Sequence, residues 1–505
     1  MRAQDLPGGG ATERLRRIVI VGGGSAGWMT AAALSRVTST PLVLVESETI
    51  GSVGVGEATI PQIRTFNRAL GIDEREFVRE TSATFKLGIR FVDWNGHGSD
   101  YLHAFGQVGR ATDVAAFHHL WLRGRQLGYA GPFGDYAIND VAARAGRMAM
   151  PGSGLPKGVN MPWAYHFDAA RYAAYLRRLA EARGVARIEG TVSDVLIGPD
   201  RQSVEAVRLD SGQQIEGDFF VDCTGFRALL ISQLEGSDFL DWGHWLPCDS
   251  AQAVACQAHC APHPYTTATA HHAGWQWRIP LQHRVGNGVV YCSEYMTDDS
   301  ARAHLLSNIE GPAAGEPRQI RFRTGTRDRH WVGNCLAVGL SAGFMEPLES
   351  TSIHLIQYSV ARLMGMLPRR RIEPAITDAF NHEISRQWAR IRDFLILHYC
   401  ANGRDGEAFW DAARTMVLPD SLSAKIEQFK ASGHFIREEE ELFTEVGWSQ
   451  VFLGQGVTPQ AWHPVADEMP EAALRDLLTE VSDQNSRLVN GMPSHAQFID
   501  AFASQ

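Results

Sequence analysis

Arg17-Ile18-Val19-Ile20-Val21-Gly22-Gly23-Gly24-Ser25-Ala26-Gly27-Trp28-Met29-Thr30 decides how this chain folds. A short unbroken apolar run bounded by glycines reads as a strand covered on both faces. The glycines keep the spacing Gly22-x-Gly24-x-x-Gly27, and an alanine-rich helix follows. That order suits a pyrophosphate. The backbone turns tightly, it comes close to the ligand where no Cβ intervenes, and the helix N-terminus faces the phosphate charge. A second apolar run, Pro41 to Val45, ends in Glu46, whose carboxylate can accept hydrogen bonds from ribose hydroxyls. Gly22, Gly24, Ser25, Ala26, Gly27 and Glu46 are therefore the candidate dinucleotide-binding residues. The plain alternative is a nucleotide-free turn with Glu46 closing a strand, and the motif alone does not choose between NAD and FAD.

Working outward, Gly217 to Gly225 reads as a strand closed by Asp222, Thr224 and Gly225, and Cys335 to Leu340 as another that meets a small-residue loop. Two returning strands favour one extended FAD over a compact nicotinamide domain. The expected fold is α/β: a Rossmann-like FAD-binding body of the flavin monooxygenase or glutathione reductase type, with a mainly helical C-terminal region over the substrate. The expected boundaries are a flexible N-terminus over 1–16, the body over 17–370 and the helical region over 371–505. Within the body, His166 to Gly184 predicts a helix and Val185 to Val192 a strand; Glu438 to Glu441 reads as a solvated acidic face.

Composition narrows the function. The 505 residues are 44% hydrophobic and 21% charged with a formal net charge of −10, the balance of an ordinary globular chain and the wrong sign for a nucleic-acid binder. Met1 to Arg17 carries no apolar signal core and no later run is apolar enough to span a bilayer, so a cytoplasmic protein without membrane partners is expected. The seven cysteines form no C-x-x-C pair, and neither a disulfide framework nor a metal site is expected; the spacing of Cys256, His259 and Cys260 would suit a metal, but core thiols are the favoured reading.

Three further segments bear chemistry. In Thr84 to Phe91 the residues alternate, which sets Phe85, Leu87, Ile89 and Phe91 on one face and Lys86 with Arg90 on the other, where a lysine is usually solvated. In Leu340 to Ser352 a strand runs into a loop and then a helix, for which Ser350 or Thr351 is a natural N-cap. A halide can bind at such a helix start, beside Thr351 and Ser352. In Gly274-Trp275-Gln276-Trp277-Arg278-Ile279-Pro280 the two tryptophans share a face, either as core aromatics or as a wall beside the flavin.

Taken together, Gly22 to Gly27, the W-x-W-x-I-P pattern of Trp275, Trp277 and Pro280, and Glu346 to Ser350 resemble the flavin-dependent tryptophan and indole halogenases. The similarity runs over nearly the whole chain and takes in Gly54 to Pro61, which looks like the family's flavin-covering strap, with Val55, Gly56, Glu57 and Ala58 as cofactor contacts. The resemblance implies a two-component halogenase: a separate, transiently bound reductase supplies reduced FAD, and oxygen with chloride or bromide then yields hypohalous acid. It implies Lys86 and Glu349 as the catalytic pair, Trp275, Trp277 and Pro280 as tunnel wall, and His103, Phe105, Trp448 and Ser350 around a small aromatic substrate. Two departures stand out. Ser352 occupies a position that is commonly glycine beside the halide-binding Thr351, with a lean towards bromide, and Glu445 to Gln450 lacks the paired tyrosines that grip free tryptophan. The expected substrate is accordingly indole or an indole derivative. A single-component hydroxylase, a non-catalytic flavoprotein and a homodimer all remain open at this level.

Overall fold

Ile18–Val21 lies inside a six-stranded sheet with the order Ala186–Glu189, Leu42–Glu46, Ile18–Val21, Phe219–Asp222, Cys335–Ala337 and Trp331–Val332. The first five strands are parallel and the last turns back antiparallel. All four residues of Ile18–Val21 are buried, and a strand covered on both faces needs no polar alternation. The helix Ser25–Val37 is buried from Gly27 to Leu34, because helices Ala169–Glu181 and Ser352–Met366 pack on it from outside the sheet. The computed structural model describes residues 14–49, 56–152, 154–369 and 371–504. Most of the expected flexible N-terminus, and Gly54 and Val55 of the strap, lie outside the described residues.

A second sheet of seven strands runs Arg318–Arg321, Ser250–Cys256, Val285–Tyr291, Gly274–Pro280, Thr266–His271, Gly88–Val92 and Asp100–Ala104. The expected continuous strand over 84–91 is broken. Thr84–Lys86 pairs with Ala164–Phe167 in a small third sheet, whereas Gly88–Val92 joins the seven-stranded one. At the break, Leu87 N–H donates to Pro264 O (2.7 Å) and Leu87 O accepts from Phe105 N–H (2.8 Å), so its backbone is satisfied outside any ladder. Lys86 and Arg90, expected together on one face, consequently diverge: Lys86 is buried, while Arg90 reaches Asp100 nearer the surface.

Other boundaries shift for local reasons. His166 belongs to the strand Ala164–Phe167, and Asp168 caps the helix by accepting from Ala170 and Arg171 N–H, so the helix begins at Ala169. The expected strand over 185–192 divides into Ala186–Glu189 in the parallel sheet and Val192–Ile197 in a separate antiparallel one. From Pro374 onward the chain is helical, led by the 27-residue helix Pro374–Cys400. The acidic run is not wholly solvated: Glu441 is buried, its Oε1 2.6 Å from Lys425 Nζ. All seven cysteines are free, no helix among the described residues is long and apolar enough to cross a membrane, and no described His, Cys, Asp and Glu group could hold a metal.

Candidate active site

Where Ile18–Val21 and Phe219–Asp222 end, a cavity of ≈ 750 Å³ opens, lined by Gly22, Gly24, Ser25, Ala26 and Glu46. Gly22 has φ +110°, and a Cβ there would fall 2.2 Å from Cys223 O. Gly27 does not line the cavity but seats the helix, since its Cβ would fall 1.8 Å from Gly22 O. A Cβ on Gly24 would meet nothing in the protein within 4 Å, which leaves a bare stretch of backbone at a helix start where a dinucleotide's phosphates fit. Glu46 accepts from Arg187 Nε (2.5 Å) and Trp28 Nε1 (3.2 Å), fixing its carboxylate beside the cavity. Gly56, Glu57, Ala58 and Leu340 also line it, and Val55 lies outside the described residues. The glycine cradle, the acid at the second strand end and the volume of the cavity fit FAD.

The tryptophan strand contributes differently at its two ends. Trp277 and Ile279 line the cavity, and the Trp277 ring rests on Gly288, where a Cβ would be 2.0 Å from Trp277 Cζ2. Trp275 and Pro280, expected in the same wall, lie behind it. Trp275 Nε1 donates to Glu346 Oε2 (2.7 Å), and Pro280 O accepts from Thr84 Oγ1 (2.7 Å). Trp275 and Trp277 stand two residues apart, about 6.6 Å along the strand, so one face passes from core to cavity between them, while Pro280 alternates to the other face. Glu346 is fully buried and also accepts from Tyr399 OH. Burial pushes its carboxyl up to about 7 despite the Trp275 and Tyr399 hydrogen bonds.

Beyond the cavity lies a charged centre. Lys86 is 0% exposed, not in the solvated position usual for a lysine on such a face, and its Nζ donates to Ser350 Oγ at 2.7 Å. Burial lowers the amine to about 7, and the negative charge of Glu349 offsets only part of that. Ser350 lies in the left-handed region at φ +59°, lines the cavity and receives Lys86. Ser352 lines the cavity too; Thr351 does not, and at the N-cap of Ser352–Met366 its side chain caps nothing. Glu349 is 1% exposed. His103 Nδ1 lies 2.8 and 3.0 Å from its two oxygens, and His398 Nε2 lies 2.9 Å from Oε1. Burial by itself would raise this carboxyl, but the two histidines reverse the effect and hold it down at about 2.

Aromatic groups surround this centre. His103 is turned to Glu349, and Phe105 has Lys86 Nζ 5.4 Å from its ring centre. Around His103 stand Phe394 at 5.5 Å and Phe443 at 6.0 Å, which stack on each other at 3.8 Å. Trp448 meets Phe394 edge-on at 4.7 Å, and its Nε1 donates to Glu441 Oε2 (3.2 Å). Phe394, His398 and Phe443 were not foreseen. Phe394 and His398 stand one helical turn apart, a visible pairing, but nothing local to them says what they face.

A family profile described as tryptophan halogenase matches residues 17–471. Among solved structures, Xcc4156, a flavin-dependent halogenase from Xanthomonas campestris, is 47% identical with a TM-score of 0.94, over 97% of this chain and 98% of that one. BrvH, a flavin-dependent halogenase from Brevundimonas sp. BAL3, is 44% identical with a TM-score of 0.92, over 97% and 99%. Tryptophan 6-halogenase ThaL of Streptomyces albogriseolus is 34% identical over 95% of this chain and 97% of its own length.

Proposed function

This chain belongs to the tryptophan halogenase family, and from that premise we propose that it halogenates an indole-type ring at Lys86 and Glu349, using FAD and chloride or bromide. One observation carries the reading: a buried amine touches Ser350, the neighbour of a buried carboxylate, and Ser350 itself lines the dinucleotide cavity. Gly22, Gly24, Ser25 and Ala26 would hold the pyrophosphate, Glu46 the ribose, and Gly56, Glu57, Ala58 and Leu340 the remainder of the cofactor. FAD, reduced by a separate reductase, supplies the electrons that activate oxygen and so oxidise halide to hypohalous acid.

Every other part falls to the protein. Ser352, at the start of a helix, offers main-chain donors to the halide. Trp277 walls the cavity so that a ring cannot stack on the cofactor directly. Lys86, with its amine near 7, holds the hypohalous acid by a hydrogen bond or as an N–halogen bond and presents halogen to one ring carbon. The ring's electron pair takes the halogen; Glu349, kept ionised, stabilises the cationic ring and accepts the proton from the substituted carbon.

The substrate is proposed to be indole or an indole derivative. Phe394, Phe443 and Trp448 form an apolar aromatic cluster beside His103, and Glu445 to Gln450 brings no tyrosine pair for an amino-acid group. The name of ThaL specifies tryptophan, which makes free tryptophan the competing substrate. The test combines the protein with FAD, a flavin reductase, NADH and either halide, and analyses indole and tryptophan by mass. Halogenated indole is expected. Turnover of tryptophan but not indole overturns the substrate, and a hydroxylated product without halogen overturns the reaction.

A further inference from the structure

Glu346, Trp275 and Tyr399 take no part in the proposed halogenation, yet they are bound into one buried group behind the cavity wall. Trp275 Nε1 and Tyr399 OH both donate to Oε2 of Glu346. An ionisable group held away from water is costly, and an apolar side chain would fill the space without that cost. The rings around it touch. Trp277, on the cavity, lies 6.1 Å from Trp275 between ring centres, Trp275 lies 6.4 Å from Trp94, and Trp94 lies 5.6 Å from Tyr399. All are contact distances for aromatic pairs. Past Tyr399, Phe409 stands 6.1 Å from it and 5.7 Å from Tyr295, which is 37% exposed. A file of rings therefore runs from the cofactor cavity to the surface.

Trp277 carries the ring type that the proposed reaction attacks, and it borders the cavity in which the oxidant forms. Indole and phenol give up an electron far more readily than phenylalanine, but a phenol holds out unless its proton can leave as well. Tyr399 has a proton acceptor in Glu346. Tyr101 does not: Phe91 lies 5.7 Å from Trp94 and 5.0 Å from Tyr101, but the buried Tyr101 hydroxyl has no hydrogen-bond partner among the described residues.

We infer that Trp277, Trp275, Trp94 and Tyr399 form an electron relay, with Glu346 as proton acceptor, that restores Trp277 and reduces hypohalous acid that meets no substrate. The inference rests on the reading of the cavity as the place where FAD generates that oxidant. Hypohalous acid needs two electrons and one proton to become halide and water. Trp277 yields the first electron and regains it through Trp275 and Trp94 from Tyr399, whose phenolic proton moves to Glu346. The second leaves Trp277 likewise and is replaced from Tyr295 by way of Phe409 and Trp410, which lie 5.1 Å apart, Trp410 standing 5.3 Å from Trp94. The proton that Tyr295 releases to solvent matches the one consumed. Soluble thiols, ending as disulfide, then reduce both phenoxyl radicals, and Glu346 returns its proton to Tyr399.

Light starts the relay without turnover. Photoexcited FAD, in its oxidised form, takes an electron from an indole beside it, so a laser flash on FAD-loaded protein leaves Trp277 one electron short. At pH 9 Glu346, with its carboxyl at about 7, is ionised and ready to accept. Transient absorption should show oxidised tryptophan giving way to a tyrosyl radical, and electron paramagnetic resonance of the frozen sample should identify it. The radical should still form in Tyr295→Phe and be lost when Tyr399→Phe is added, with oxidised tryptophan persisting in its place. Glu346→Gln keeps a carbonyl oxygen for both hydrogen bonds but takes no proton, and should slow the tyrosyl signal several-fold. A tyrosyl radical that survives without both phenols, one that forms at the wild-type rate in Glu346→Gln, or none in FAD-loaded wild type overturns the relay. Peptide mass analysis after turnover without substrate gives a second reading: Trp277 should be oxidised several-fold faster in Tyr399→Phe than in wild type, and equal loss overturns the protective role. The flash needs neither halide nor oxygen. Protein that shows the radical but does not halogenate therefore loses the proposed reaction alone, whereas protein that halogenates without it loses the relay alone.

Discussion

Replacing Lys86 by methionine should make the protein more stable while abolishing halogenation. A fall of the amine from 10.5 to about 7 corresponds to about 5 kcal/mol against the charged form, at roughly 1.4 kcal/mol per tenfold. Methionine is an unbranched apolar side chain one atom shorter, and it removes the charge. It also removes the hydrogen bond to Ser350 Oγ, about 1 kcal/mol, although that hydroxyl borders the cavity and can be solvated there. Removing one member of a buried charged pair normally strands the other. Here Glu349 retains His103 and His398, so that penalty is small. The expected gain is about 2–4 kcal/mol at pH 6. Its sign with pH follows from proton counting. The folded lysine releases its proton near 7, the unfolded one near 10.5, so between these values the unfolded chain binds more protons and the wild type gains stability as pH rises. The advantage of methionine is thus full below pH 7 and gone above about pH 10.5. Urea unfolding of cofactor-free protein at pH 6 and pH 9.5, followed by circular dichroism, measures it. A variant less stable than wild type at pH 6, or a gap that does not shrink by pH 9.5, would refute the electrostatic account of this centre.

Two glycines of the turn should separate folding from cofactor binding. Gly22→Ala, at φ +110° with its Cβ directed into Cys223 O, should cost about 2 kcal/mol or more and lower the thermal midpoint of the cofactor-free protein. Gly24→Ala, at φ −74° with open space around its Cβ, should fold normally yet bind FAD at least tenfold more weakly, as read by fluorescence titration. At Glu346, whose carboxyl is raised to about 7, burial favours the neutral form: the carboxyl is at its most stabilising at low pH and loses that advantage as pH rises through 7. Glu346→Gln, a permanent mimic of that form, should match wild type in thermal midpoint at pH 5 and exceed it at pH 9, and equal midpoints at both would show that Glu346 is ionised throughout.

The parallel sheet and its glycine turn are legible in the sequence because both faces of those strands are buried and the turn tolerates no Cβ at Gly22 or Gly27. Elements whose fate is settled by distant partners are not. Alternation in Thr84 to Phe91 separates Lys86 from Phe85 but cannot reveal that the strand parts at Leu87, where Pro264 and Phe105 take over its backbone bonds. Nor can a run of glutamates disclose that one of them is buried against Lys425. The W-x-W pattern fixes a shared face, yet only the extent of the cavity decides that Trp277 borders it and Trp275 does not. His103 and His398 come from a strand and a helix far apart in the chain, so their meeting at Glu349 has no local signature.

Ser350 makes the partition between cavity and amine one side chain thick, and its backbone limits how that partition can be altered. At φ +59° a glycine is comfortable and a β-branched residue is not. The partition can therefore be thinned by substitution at this position but hardly thickened, so a bulkier barrier between cavity and amine has to be built from the Lys86 side.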